Sequence, residues 1–210
     1  MWVLFDLGIL FIFLSLLFYR PMKYKEPQPT NSNVIGEHWT RLSSQIYNNA
    51  QLSRPFEITI SEDEINLMVL DSDWPKESSG VSFSAPQVFL EPEQIILMGT
   101  ASFEDIKVIV TVAGKATIDE AGLMNLKVTK FKVGALNVTL AARLIAKRNY
   151  SQALSNPLID REDIRTKIVS SLLNDEPFEP VFVIEDKKAR ISKVQVLKKK
   201  IKIDFEPALD

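Results

Sequence analysis

Three consecutive carboxylates, Glu62, Asp63 and Glu64, and a single histidine, His38, are the residues of this chain whose types could carry acid–base chemistry. Glycosidase-type catalysis needs two carboxyls held on either side of one bond, whereas adjacent acids at the start of a predicted helix complement its dipole. Only Glu64 is predicted to need its specific place, as the reciprocal partner of Ser61 in a capping box. His38 lies beside the apolar stripe of another predicted helix and reads as a partly exposed polar residue. One histidine and no cysteine in 210 residues exclude a disulfide framework, thiolate or multi-histidine metal centres and cysteine nucleophiles. A Ser-His-Asp triad would have to recruit His38. None of the seven glycines falls in a phosphate-binding spacing, and no nucleophile elbow occurs. The expectation is a protein that is not an enzyme, with no catalytic residues, no cofactor and no metal.

Charge offers a second kind of chemistry. From Glu57 to Asp105 there are eleven acids against Lys76 alone, whereas Lys187 to Lys202 holds eight basic residues and no acid, within an overall net charge of −2. Lys198, Lys199 and Lys200 are candidates for contact with anionic lipid headgroups, at roughly 1 kcal/mol per cation near a bilayer surface. The alternative is that these lysines protect hairpin edges from pairing with other chains. Nucleic acid is not expected, because no aromatics are interleaved with the lysines and the sequence pI is about 5.6. Asn137-Val138-Thr139 and Asn149-Tyr150-Ser151 match the glycosylation pattern, which has meaning only in a secretory compartment.

The third candidate is apolar. Ile106, Val108, Val110 and Val112 share one side of a long predicted strand, with Ile109 and Ala113 punctuating the other. Leu140 and Leu144 lie on one face of a predicted helix. These six form a candidate ligand groove between sheet and helices, suited to an acyl chain; the alternative is that they fill one core with no cavity.

Three regions position these residues. Residues 1–19 read as a transmembrane anchor: fifteen of the eighteen positions from Trp2 to Tyr19 are apolar, interrupted by Asp6, Gly8 and Ser15. As one helix they would span about 27 Å at ~1.5 Å per residue, and no small-residue cleavage site precedes Arg20, Lys23 and Lys25. Residues 20–34, with Pro21, Pro27 and Pro29, read as an extended tether. Residues 35–210 read as one α+β domain with a twisted, mainly antiparallel sheet and helices packed on one face. Within it, Ile35, Trp39, Leu42 and Ile46 mark a first helix ending near Leu52, and Phe56 to Ile60 a strand. Ile60 and Ile65 make a hydrophobic staple around the capping box. A loop from Asp71 to Gly80 leads into a meander broken at Pro86 and turned at Asp119 to Gly122. Gly134 is predicted to open a helix burying Leu136, Leu140 and Leu144, with Arg143, Lys147 and Arg148 near its end. A second helix follows Pro157, capped by Asp160, and three strands close the chain.

Along this order of elements stand Ile58-Thr59-Ile60-Ser61-Glu62-Asp63-Glu64-Ile65-Asn66-Leu67-Met68 and Phe131-Lys132-Val133-Gly134-Ala135-Leu136. With them the chain resembles the YpmS-like family of small, single-pass bacterial membrane proteins. Family members have leucine where this chain has Ile65, and prefer a proline within the stretch occupied by Asn137-Val138-Thr139. More loosely, the chain is similar to the tubular lipid-binding superfamily. The resemblance implies a domain tethered to the outer side of a bacterial inner membrane with a lipid-handling role, and names no catalytic residues. The positive-inside rule, applied to Arg20, Lys23 and Lys25, points to the cytoplasmic side instead. Asn66 is the motif position that packing does not explain; its side chain is expected to satisfy backbone groups in the loop near Trp74. The expected partners are the bilayer, through residues 2–19, and a lipid ligand. A second function remains open, that of a tethered scaffold recruiting a protein partner through its charged surfaces.

Overall fold

The period-two runs form two antiparallel sheets in the computed structural model, which describes residues 2–27, 32–154, 160–185 and 187–208. The smaller sheet holds β1 (Phe56–Ser61), β9 (Val181–Ile184), β10 (Lys187–Leu197) and β11 (Lys200–Pro207), in the order β1-β11-β10-β9. The larger comprises β2 (Lys76–Ser78), β3 (Val81–Phe83), β4 (Gln87–Glu91), β5 (Gln94–Phe103), β6 (Ile106–Ile118), β7 (Met124–Val133) and β8 (Leu136–Asn137). Its order is β2-β3-β5-β6-β7-β8, and Pro86 separates β3 from β4 so that both pair with β5. The helices are α1 (Trp2–Leu17), α2 (Ser32–Gln51), α3 (Glu62–Leu70), α4 (Thr139–Leu154) and α5 (Ile164–Asn174). The expected α+β class and antiparallel pairing are present.

The smaller sheet covers only part of one face of the larger, here called the inner face. There Ile118, Met124 and Leu126 pack with Ile58, Phe178, Ile191 and Phe205, while Val88, Leu90 and Ile95 pack with Val196, Ile201, Ile65 and Val69. Toward the β5–β6 hairpin the inner face is open, with Val108, Val110 and Val112 half-buried and Leu97 exposed. A bulge interrupts the β6–β7 ladder: Gly114 faces Val128 but Ala113 faces Lys130, leaving Thr129 unpaired. Phe131 and Val133 therefore lie on the inner face with Val128, and Lys130 and Lys132 lie on the outer face.

The local signals around α3 hold. Ser61 Oγ accepts from the Glu64 backbone N–H at 3.2 Å, and the Glu64 carboxylate accepts from the Ser61 N–H at 2.8 Å. At the β6–β7 turn the Asp119 carboxylate accepts from the N–H groups of Ala121 and Leu123, and Gly122 takes φ +77°.

Several expectations are corrected. α1 ends at Leu17, because Pro21 and the restriction it places on Arg20 stop helical continuation. Its sixteen residues rise about 24 Å against a hydrocarbon core of ~30 Å, and no helix among the described residues is long and apolar enough to cross a membrane. The tether is not free: Tyr24 is 3% exposed, packed with Met98 and Ile109 on the outer face. The predicted loop before Gly80 contains β2, and α2 begins at Ser32. Gly134 opens no helix; at φ +58° it turns the chain from β7 into β8, and α4 begins at Thr139. The start of α5 is capped by Asp163, which accepts from the Arg165 N–H at 2.7 Å, and not by Asp160.

The segregated charges meet in space. Lys202 Nζ donates to both Glu57 carboxylate oxygens at 3.0 and 3.1 Å, since β1 and β11 are neighbours. That hydrogen bond holds the Glu57 carboxyl below its ordinary value. Because the folded-state value is the lower one, the contribution is complete above the ordinary glutamate range and fades as pH falls through the folded value. Accordingly, E57Q lowers the thermal midpoint at neutral pH and low salt but leaves it unchanged in acid, where the wild-type carboxyl is already protonated; thermal scans at both pH values check this.

Candidate functional site

The uncovered part of the inner face forms an open cavity of about 300 Å³. Its floor is Leu97, Gly99, Val110 and Val112 from the paired strands β5 and β6, where Leu97 stands opposite Val112 and Gly99 opposite Val110. Gly99 leaves the floor low, with Pro86 closing over it from the break between β3 and β4. Its walls are Phe83 and Trp74, and the indole is fixed by donating from Nε1 to the Val69 carbonyl at 2.8 Å. Lys76, Ser84 and Thr100 are the polar members of the lining. Such a surface offers burial to an aliphatic chain and little to a polar ligand.

Of the six groove residues expected from the sequence, Val110 and Val112 line this cavity. Val108 continues the same face, and Ile106 stands at the hairpin tip, 51% exposed. Leu140 and Leu144 do not join them: they are 80% and 72% exposed on α4. The helix instead turns Arg143 and Tyr150 inward, Arg143 donating to the Val128 carbonyl and Tyr150 to the Thr166 carbonyl. Trp74, Phe83, Pro86 and Leu97 were missed. Leu97 lies in the continuous apolar run Ile95 to Met98, where no alternation marks a side, and Trp74 sits in an irregular segment with no period to follow.

On the outer face, α1 ends against the sheet. The Ala135 N–H donates to the Leu16 carbonyl at 2.7 Å, and the Gly134 N–H donates to Ile109 at 2.7 Å. A β-carbon on Gly134 would overlap the carbonyl oxygens of Leu16 and Leu17, so glycine is required here both for its positive φ and for the close approach. The chain then crosses the sheet as a strap. Tyr24 Oη and Thr100 Oγ1 are 3.1 Å apart, the Lys25 N–H donates to Gln87, and Lys23 stands over the Phe89 ring, 3.8 Å from Glu91. Away from this contact α1 exposes Phe11, Ile12 and Phe13 by 73%, 60% and 51%.

Lys198, Lys199 and Lys200 are exposed at the β10–β11 turn. The turn is built into the fold, with the Lys199 N–H donating to the Leu90 carbonyl and the Glu62 N–H to the Lys199 carbonyl. It adjoins the β4–β5 turn, whereas α1 meets the sheet at the level of Thr100, roughly 20 Å along β5 at ~3.4 Å per residue.

The acidic cluster is structural in more than one of its members. The Glu62 carboxylate accepts from the Leu90 N–H at 2.6 Å, so Glu62 as well as Glu64 needs its place. Asn66 bonds β4, not the loop near Trp74: its side chain accepts from the Val88 N–H at 2.7 Å and donates to the Val88 carbonyl at 2.9 Å. His38 Nδ1 lies 3.9 Å from Glu64, which also pairs with Arg41. Among the described residues no group of three or more histidines and carboxylates could hold a metal. A cleft of about 550 Å³ between β6 and β10 is lined by Glu93, Lys115, Thr117, Asp119, Ser192 and Lys193 together with apolar side chains. No family model matches the chain, and no curated protein matches it.

Proposed function

We propose that the protein is a non-enzymatic, membrane-anchored domain that binds the acyl chain of a lipid on the open part of its inner sheet face. The observation that carries this reading is the cavity of about 300 Å³ lined by Trp74, Phe83, Leu97, Val110 and Val112, an apolar surface left uncovered by the smaller sheet. The apolar α1, with its exposed phenylalanines, supports attachment to a bilayer, and the resemblance to the YpmS-like family supports a lipid-handling role on the outer side of the membrane. Trp74 supplies the test. In the full chain carrying W2F and W39F, with Trp74 as the remaining tryptophan, brominated phospholipid in vesicles quenches the fluorescence saturably. A V110D variant that keeps its thermal midpoint loses that quenching. Trp74 fluorescence in that chain that ignores bromine while the chain co-sediments with the vesicles sinks the reading.

The second reading, recruitment of a protein partner, is favoured by one observation: α4 presents Leu140, Leu144 and Ile145 at 80%, 72% and 62% exposure. L140E with L144E separates the two, because it removes such a partner and leaves Trp74 quenching intact.

A further inference from the structure

A second cavity, of about 250 Å³, lies on the opposite face of the same sheet, directly beneath the segment that follows α1. Tyr19 and Pro21 form its roof, Ile96, Met98 and Ala113 its floor, and Lys130 and Lys132 one wall. Neither lysine makes an ion pair or hydrogen bond among the described residues, although neighbouring cations on the same face do: Lys127 lies 3.7 Å from Asp175, and Lys115 lies 3.3 Å from Glu93. Two uncompensated ammonium groups above an apolar floor match an amphiphile with an anionic head. The position is equally specific. Gly134 and Ala135, which receive the end of α1, belong to the same lining, so the lysines stand where the apolar helix gives way to Tyr19 and Arg20. For an inserted α1 that is the depth of the lipid phosphates, and an interfacial tyrosine marks it.

We infer that this cavity holds the phosphate of an anionic membrane phospholipid, with Lys130 and Lys132 as its counter-charges and the Ile96–Met98 floor against the start of its acyl chains. The inference rests on α1 being the membrane anchor and is independent of the cavity on the inner face. It gives the strap a role beyond tethering, since Tyr24, buried against Met98 and Ile109, holds the roof in place over the two lysines.

The test uses the full chain in nanodiscs of phosphatidylcholine alone and of phosphatidylcholine with phosphatidylglycerol, with the lipids retained on the released protein counted by native mass spectrometry. Wild type retains one phosphatidylglycerol in preference to phosphatidylcholine by about tenfold or more, as expected for two cations at a bilayer surface. K130Q with K132Q abolishes the preference, K130R with K132R keeps it, and K198Q with K199Q and K200Q leaves it untouched. Millimolar inorganic phosphate does not displace the lipid; displacement would overturn the lipid assignment in favour of a soluble phosphate. A chain that enters both nanodiscs and shows no preference overturns this inference alone, and one that enters neither overturns the anchor as well.

Discussion

Asn66→Ala lowers the unfolding free energy by about 2–4 kcal/mol, the expected cost of leaving the Val88 N–H and carbonyl without partners in a half-buried site. The effect is large for one polar side chain because Asn66 stands in for a strand. β4 pairs with β5 on one edge, and on its other edge α3 meets it, offering the Asn66 amide to Val88 and the Glu62 carboxylate to Leu90. A carboxamide serves both Val88 groups at once, with an oxygen for the N–H and a nitrogen for the carbonyl. N66D should therefore recover only part of the loss, keeping the acceptor while setting a carboxylate oxygen against the Val88 carbonyl. Urea unfolding checks this: the midpoint falls in both variants with an unchanged slope, and further in N66A. Equal midpoints for wild type and N66A would show that water replaces the amide.

The second large effect is expected at Gly134. G134A places a β-carbon against the carbonyls of Leu16 and Leu17 and puts a side chain at φ +58°, where an L-residue costs about 1–2 kcal/mol. The overlap is relieved most easily by letting α1 move off, because its end is held by one backbone hydrogen bond to Ala135 whereas Gly134 is fixed between paired strands. The strap then opens more often, and trypsin reads the opening at Lys23 and Lys25. A loss of ~1.4 kcal/mol in strap docking raises the cleavage rate about tenfold where opening is fast. The thermal midpoint of the domain should fall far less than the cleavage rate rises. Unchanged cleavage in G134A would mean that the close approach of Gly134 to Leu17 does not hold the strap.

Much of the framework could be read from residues alone because its signals are local. The Ser61–Glu64 capping box, the Asp119 turn and the break at Pro86 depend on chemistry within a few positions, and each appears as expected. What escaped was set by contacts distant along the chain. Tyr24 looks like one aromatic in a proline-containing tether, and only Met98 and Ile109, more than seventy residues away, make it a buried anchor point. Leu140 and Leu144 obey helical spacing, but spacing does not say which face turns to the sheet, and Arg143 takes that side while Tyr150 meets α5. The apolar strip of β6 was legible as an alternation; that the smaller sheet stops short of Val110 and Val112 was not, because the extent of cover depends on how two sheets are offset.

The unpaired Thr129 in β7 bears on how such a protein can change. Its sequence trace is a single step of three in an apolar run that otherwise steps by two, from Val128 to Phe131. Everything C-terminal to it in the strand has inverted parity, so the phenylalanine and valine go to one side and both lysines to the other. If Thr129 were paired regularly and not bulged, the same letters would put ammonium groups among the greasy side chains and rings beneath the strap. The sidedness of the two cavities therefore rests on the bulge. Point substitutions can retune either surface separately, and loss of Thr129 would leave both in place, whereas straightening the strand with Thr129 retained exchanges them together.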